Sequence, residues 1–191
     1  MRSGAEGGAA LSDRRRTSSG KGGSRRRTGA TSVSDGAKAR GPSAGILLYR
    51  GDAGRHEVLL VHPGGPWWRR QEAGAWSIPK GECMADEEPY LAARREFVEE
   101  LGVAAPDCDA LPLGEVRQRA GKRVLAWALP GDLDASAIRS NTFNLEWPPH
   151  SGKFRDFPEV DRAEWFPVET ARQRINPAQV ELLDRLEAAL A

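Results

Sequence analysis

The sequence lacks several features that would place the protein in a specialised class. No apolar run approaches the length of a membrane-spanning helix, about 18 residues or more. The first 42 residues contain no apolar stretch like that of a signal peptide. Among 191 residues there are only two cysteines, Cys83 and Cys108, too few for a disulfide framework and without metal-ligand spacing. These absences predict a protein of a reducing compartment, the cytoplasm, with no membrane-spanning segment.

The whole chain also lacks an excess of charge of one sign, with a net charge of +1, but its two parts carry opposite net charges. Residues 1–42 carry ten Lys and Arg against three acidic residues, a net charge of +7, which leaves −6 for residues 43–191. The first part has nine Gly, seven Ser and no aromatic residue. Because so little surface could be buried to offset the entropy of ordering, we predict a disordered basic tail. The tail could bind nucleic acid, an anionic membrane surface or an acidic partner, could be a transit peptide, or could have no dedicated role.

Residues 43–191 have the pattern of one α+β domain. Apolar runs rich in strand-forming residues predict strands at 44–50, 56–62, 112–118, 123–129 and 164–166. Helical patterns cover 168–174 and 177–191, whereas Arg139–Phe157, which contains Trp147-Pro148-Pro149, is predicted to be irregular. Since strands and helices do not alternate regularly, we predict a mixed sheet packed between helices.

Another helix is predicted after residue 86. Asp86 is the expected N-cap, Pro89 suits the first turn, and Gly102 is placed for a left-handed C-cap. The apolar face of this helix is predicted to contain Tyr90, Leu91, Ala93, Phe97, Val98 and Leu101.

Three glutamates, Glu96, Glu99 and Glu100, share the opposite face of that helix. Carboxylates at these spacings repel one another unless water screens them, and in a partly buried cleft they raise one another's pKa. A hard divalent cation, Mg²⁺ or Mn²⁺, would remove the repulsion, bridge phosphate oxygens and lower the pKa of a bound water. The alternative is a solvated acidic face with no metal.

A wider spaced pattern includes these glutamates. It consists of Gly81, five residues, Glu87, seven residues, Arg95-Glu96-Phe97, one residue, Glu99-Glu100, one residue and Gly102-Val103. This pattern resembles the box of the Nudix hydrolases at every fixed position. The resemblance implies an α/β/α sandwich with a mixed sheet over about residues 43–190. It also implies hydrolysis of a phosphoanhydride bond in a nucleoside diphosphate linked to another group.

The resemblance implies a role for each residue of the box. The metal ligands would be the carboxylates of Glu96, Glu99 and Glu100 and the backbone carbonyl of Gly81. Glu87 and Arg95 would form an ion pair that ties the box loop to its helix. Lys80, just before the box, would contact phosphate or would be an exposed loop lysine.

The catalytic base is placed at different positions in different Nudix members. Glu99 is one candidate. Glu159 is another, because a Glu six residues before Trp165 resembles the late segment of the diadenosine tetraphosphate hydrolases. Glu159 could equally be an ordinary surface carboxylate.

Two further segments indicate a nucleotide substrate. Trp76–Gly81 resembles the W-x-x-P-K-G lead-in of the diadenosine enzymes. Trp67, Trp68 and Arg69, followed by Arg70, lie in an upstream loop, and Trp147 lies in the predicted irregular segment. Tryptophan stacks on nucleobases and arginine binds phosphate, although Trp67 and Trp68 could instead cover an edge of the core.

The chain as a whole resembles small bacterial Nudix proteins that are predicted to hydrolyse NTPs. We therefore predict a Mg²⁺-dependent pyrophosphohydrolase of (d)NTPs or diadenosine polyphosphates. The alternatives are a nucleotide-sensing module without turnover and an RNA 5′-end pyrophosphohydrolase whose substrate is steered by the tail.

Overall fold

The computed structural model describes residues 41–52 and 54–191 of the chain. Apart from Gly41 and Pro42, the predicted basic tail lies outside these residues. In the part that is described, no helix has both the length and the apolar character needed to cross a membrane.

Six of the strands form one mixed sheet, as predicted. In chain order the eight strands are β1 (Ser43–Arg50), β2 (Glu57–Pro63), β3 (Lys80–Glu82), β4 (Leu111–Arg117), β5 (Arg123–Pro130), β6 (Thr142–Glu146), β7 (Phe154–Pro158) and β8 (Val160–Pro167). The order in the main sheet is β4-β5-β1-β2-β8, and β3 pairs with the first residues of β1. The β1–β5 pair is parallel and the other pairs are antiparallel.

Helices cover both faces of this sheet, which gives the predicted α/β/α sandwich. They are α1 (Pro89–Leu101), α2 (Val168–Arg174) and α3 (Val180–Leu190). Successive side chains of a strand point to opposite faces. Accordingly Ile46 and Leu48 of β1 belong to the core on the α1 side, and Leu47 belongs to the core on the α2 and α3 side. The central strand is therefore buried on both faces.

The start of α1 differs from the prediction. The N-cap is Glu88, whose carboxylate accepts a hydrogen bond from the backbone N–H of Leu91 at 2.9 Å, and not Asp86. Pro89 fixes this boundary, because a residue before proline is driven to extended backbone and proline suits the first helical position. Asp86 instead has a positive φ of 65° in the preceding turn. The C-cap at Gly102, with a φ of 74°, is as predicted.

The buried face of α1 is narrower than the predicted apolar face. Ala92, Ala93, Phe97 and Leu101 are buried against the sheet. The placement of Leu91 and Val98 on this face is wrong, since the two residues remain 60% and 44% exposed. At 100° per residue, Val98 lies about a quarter turn from Phe97, which places it beyond the contact with β1.

The segment Arg139–Phe157 contains a β-hairpin, so its prediction as irregular is wrong. Strands β6 and β7 pair from Thr142↔Pro158 to Glu146↔Phe154 and form a separate two-stranded sheet. Most of its residues are exposed or half-buried, so the hairpin has no buried side to produce a strand pattern in the sequence.

Candidate functional site

The box carboxylates of α1 face β3. The backbone N–H of Lys80 donates a hydrogen bond to Glu100 Oε2 at 3.1 Å. Glu96 lies so close over Gly81 that a Cβ built on this glycine would be 1.8 Å from Glu96 Oε2. Strand β3 is held in place by pairing with β1, and α1 is held by its buried face. The fold thus brings Gly81, Glu96 and Glu100 together beside the start of the central strand β1.

Arg95 links the box loop to the helix. Its Nε and Nη2 donate to the two carboxylate oxygens of Glu87, each at 2.9 Å, and Nη2 also donates to the carbonyl of Glu82 at 3.0 Å. This two-pronged pair lowers the pKa of Glu87 to about 2 and raises the pKa of Arg95. The third nitrogen, Nη1, donates to Glu96 Oε1 at 2.6 Å and Glu99 Oε1 at 3.2 Å.

Two carboxylates in this site, those of Glu100 and Glu96, are costly to ionise. Burial raises the pKa of Glu100 to about 7, assisted by the negative charges of Glu96 and Glu159 and opposed by Lys80. Burial also raises the pKa of Glu96. The pKa of Lys80 is lowered, again mainly by burial.

This donor set fits a hard divalent cation, since it combines carboxylate oxygens with negative charge that is incompletely neutralised. Among residues 41–52 and 54–191, however, no three His, Cys, Asp or Glu side chains already converge as metal ligands. Arg95 Nη1 holds one oxygen of Glu96 and one of Glu99. The second oxygen of each of these carboxylates is not held by Arg95.

Glu159 lies between β7 and β8, within electrostatic range of the box. It contributes to the raised pKa values of Glu96 and Glu100. Both backbone polar groups of Glu159 form hydrogen bonds. Its N–H donates to the carbonyl of Asn141 at 2.8 Å, and its carbonyl accepts from the N–H of Gly64 at 2.9 Å. The side chain itself is exposed.

A cleft of about 820 Å³ adjoins Glu159; we call it the tryptophan cleft. Its lining residues are Gly65, Pro66, Trp67, Arg69, Arg70, Trp147, Arg155, Phe157, Pro158 and Asp161. Trp67 and Trp147 meet edge to face, with ring centroids 5.4 Å apart. Three of the predicted substrate residues, Trp67, Arg69 and Trp147, are thus brought together.

Trp68 is separated from these residues. It lines a different cleft together with Arg117 and Asn176. The chain turns between the two tryptophans, so neighbours in the sequence serve two different surfaces.

A buried polar link that the sequence does not reveal lies beneath the tryptophan cleft. His62 is fully buried, with Nδ1 2.7 Å from Asp161 Oδ1 and Nε2 2.8 Å from the carbonyl of Gln71. The link ties the loop of Trp67 to β2 and β8. A histidine at the end of an apolar strand was the available signal, but it does not reveal its partners.

A family model described as NUDIX domain matches residues 39–186. The chain belongs to the Nudix family. This Nudix protein is accordingly a hydrolase that acts on phosphoanhydrides.

Solved structures share the Nudix fold with this chain. A C. elegans Ap4A hydrolase, in a binary complex, is 23% identical with a TM-score of 0.56, covering 78% of this chain and 97% of that one. The NUDIX domain of Shewanella oneidensis NrtR, complexed with ADP ribose, is 18% identical with a TM-score of 0.56, covering 81% and 90%. Curated protein sequences give no significant match.

Proposed function

We propose that the protein is a Mg²⁺-dependent pyrophosphohydrolase of nucleotides, with (d)NTPs and diadenosine polyphosphates as the first candidate substrates. The observation that carries this proposal is the carboxylate cluster that faces Gly81, where the pKa of Glu100 is raised to about 7. Buried negative charge of this kind destabilises the protein unless a cation compensates it, so its presence favours a functional explanation.

Glu96, Glu99, Glu100 and the backbone carbonyl of Gly81 would hold the Mg²⁺, with Mn²⁺ as an alternative. When bound, the cation supplies charge for the phosphate oxygens and acidifies a water molecule. Lys80 is proposed to bind a substrate phosphate. Burial lowers the pKa of Lys80, so its ammonium lies in a partly dehydrated position, where an anionic partner is favoured.

Glu159 is proposed as the residue that takes the proton from the attacking water, with Glu99 as the alternative. Glu159 is exposed, and within the described ranges it has no cationic partner. Glu99 already accepts a hydrogen bond from Arg95 at 3.2 Å, so one oxygen of its carboxylate is engaged.

The tryptophan cleft is proposed to hold the nucleobase. Trp67 and Trp147 offer aromatic surface for stacking, and Arg69 offers donors for phosphate. The likeness to an Ap4A hydrolase and to a domain complexed with ADP ribose supports adenine nucleotides as the first compounds to test. The proposed location is the cytoplasm, because Cys83 and Cys108 are free thiols.

The decisive experiment is a mass-spectrometric product screen of a nucleotide panel with Mg²⁺ and with Mn²⁺. Glu99→Gln and Glu100→Gln should each lower kcat by about a hundredfold or more, because each removes charge that stabilises the transition state. Glu169→Gln is the matched control, since Glu169 is an exposed acid of α2 outside the site.

Two results would contradict the proposal. One is a loss below about tenfold for both box variants, since a single electrostatic group of this kind is normally worth more. The other is binding of a nucleotide without turnover, which would indicate a sensing module. Glu159→Gln separately tests the base, and kcat equal to that of Glu169→Gln would exclude Glu159.

A further inference from the structure

Both ring nitrogens of the buried His62 face hydrogen-bond acceptors. Nδ1 lies 2.7 Å from Asp161 Oδ1, and Nε2 lies 2.8 Å from the backbone carbonyl oxygen of Gln71. A backbone carbonyl and an ionised carboxylate can accept a hydrogen bond but cannot donate one. A neutral histidine has a single N–H, so it could form only one of these bonds, and its other nitrogen would meet an oxygen lone pair. The geometry therefore requires a proton in each of the two contacts.

The additional proton belongs to the ring and not to Asp161. Arg162 Nε lies 3.6 Å from Asp161 Oδ1, and a nearby guanidinium favours an ionised carboxylate. The other charged groups on the elements around the ring are paired with one another. Glu72, in the loop after β2, accepts from Arg162 Nη2 of β8 and from Arg174 Nη1 of α2, each at 3.0 Å. Asp161 is thus the carboxylate that compensates a positively charged His62.

The bond from His62 to Gln71 holds a segment that burial does not hold. We call residues 64–71 the tryptophan loop. Residues 67–71 are exposed, and a turn closes them, in which the N–H of Gln71 donates to the carbonyl of Trp68 at 2.8 Å. The carbonyl of Gln71 is anchored on His62, whose side chain is fully buried. The place of Trp67 beside Trp147 in the tryptophan cleft therefore depends on an anchor that carries a proton.

We propose that His62 is a positioning residue of the tryptophan cleft, whose doubly protonated ring holds the tryptophan loop against β8 and so places Trp67. When the ring releases a proton to solvent, one of its two hydrogen bonds is lost and the loop moves. The affinity of the cleft for its ligand should then fall as the pH rises. This consequence for the substrate rests on the proposed function, which places the nucleobase in the cleft.

The first test is NMR spectroscopy of the ¹⁵N-labelled full chain, with His62→Leu used to assign the ring signals. At pH 7 both ring nitrogens of His62 should have the shifts of protonated nitrogens, and the exposed His150 provides the comparison. Between pH 6 and pH 10 the indole N–H signal of Trp67 should move together with the loss of the ring proton. His62→Leu removes both hydrogen bonds and should displace the Trp67 signal at every pH.

Asp161→Asn separates the proton from the contact. The amide of asparagine can donate to an unprotonated Nδ1, so a neutral ring keeps both hydrogen bonds. In this variant the ring of His62 should have one proton at pH 7, and the Trp67 signal should stay constant between pH 6 and pH 10. Asp109→Asn is the matched control, because Asp109 is an exposed acid outside the cleft, and it should titrate like the native chain.

The second test measures hydrolysis of Ap4A with Mg²⁺ over the same pH range. In the native chain and in Asp109→Asn, KM should rise about tenfold as the ring loses its proton, as expected for a lost hydrogen bond to a charged group. In Asp161→Asn this rise should be absent. The difference between the variants should appear in KM and not in kcat, because the loop positions the substrate and does not contact the reacting atoms.

Three results would overturn the proposal: a single ring proton on His62 at pH 7, a Trp67 signal that neither ring deprotonation nor His62→Leu changes, or the same titration in Asp161→Asn and Asp109→Asn. The NMR measurements need no substrate, so they decide the proposal even if Ap4A is not hydrolysed. The predicted NMR behaviour in a chain that hydrolyses no nucleotide would refute the proposed function alone. A hydrolase with one ring proton on His62 would refute only this inference.

Discussion

The metal-free protein should lose stability as the pH rises from 4.5 to about 7, because of Glu100. Burial beside Glu96 and Glu159 raises the pKa of Glu100 from 4.5 to about 7 in the folded protein. Between these pH values the folded protein retains a proton that the unfolded chain releases. Glu100 therefore costs nothing below pH 4.5, and the full cost is present above pH 7. The difference between the two pKa values corresponds to a cost on the order of 3 kcal/mol.

The assay is urea denaturation of the full chain at pH 5 and pH 7.5 in the presence of a chelator. Glu100→Gln should remove most of the loss between the two pH values, because glutamine has no proton to release. Its side-chain oxygen can still accept the N–H of Lys80, so the local structure is preserved. Glu169→Gln should behave like the native chain.

Two outcomes would refute this reasoning. One is a native protein that is as stable at pH 7.5 as at pH 5. The other is a Glu100→Gln variant that loses as much stability between these pH values as the native chain. Mg²⁺ provides a further check. It should raise the unfolding midpoint more at pH 7.5 than at pH 5, since the cation and the proton compete for the same carboxylates.

Two further substitutions probe the two halves of the site. Gly81→Ala should raise the Mg²⁺ concentration for half-maximal activity about tenfold, because the new Cβ displaces the Glu96 carboxylate; an unchanged Mg²⁺ titration would show that this close approach is unimportant. Trp67→Ala should raise KM about tenfold through lost stacking, whereas Trp68→Ala, in a different cleft, should leave KM unchanged. Equal effects of the two tryptophan variants on KM would remove the assignment of the nucleobase to the tryptophan cleft.

The sequence predicts the parts of the fold in which a local pattern and burial agree. The mixed sheet, α2 and the glycine cap of α1 follow from strand-forming runs, periodicity and a required left-handed residue. The predicted start of α1 is wrong because two acidic residues, Asp86 and Glu88, compete for the N-cap position. The proline favours Glu88, and that effect outweighed the intrinsic preference for Asp86.

Features that depend on contacts distant in the sequence could not be predicted. That Glu96 and Gly81 lie together was implied by the resemblance to the Nudix box, but the hold of Arg95 on two of the glutamates was not. Similarly, nothing local distinguishes Trp67 from Trp68. Contacts with distant segments separate their environments: the β6–β7 hairpin brings Trp147 against Trp67, whereas Trp68 lines a cleft with Arg117 and Asn176.

The β6–β7 hairpin pairs only with itself and contributes no strand to the main sheet. It nevertheless supplies Trp147 and Arg155 to the wall of the tryptophan cleft. Under the proposed function, selectivity and folding are therefore encoded in largely separate stretches of chain. Exchange of the residues between Asn141 and Glu159 for another hairpin offers a route to redirect the enzyme to new nucleotides while the sheet and the carboxylates stay as they are.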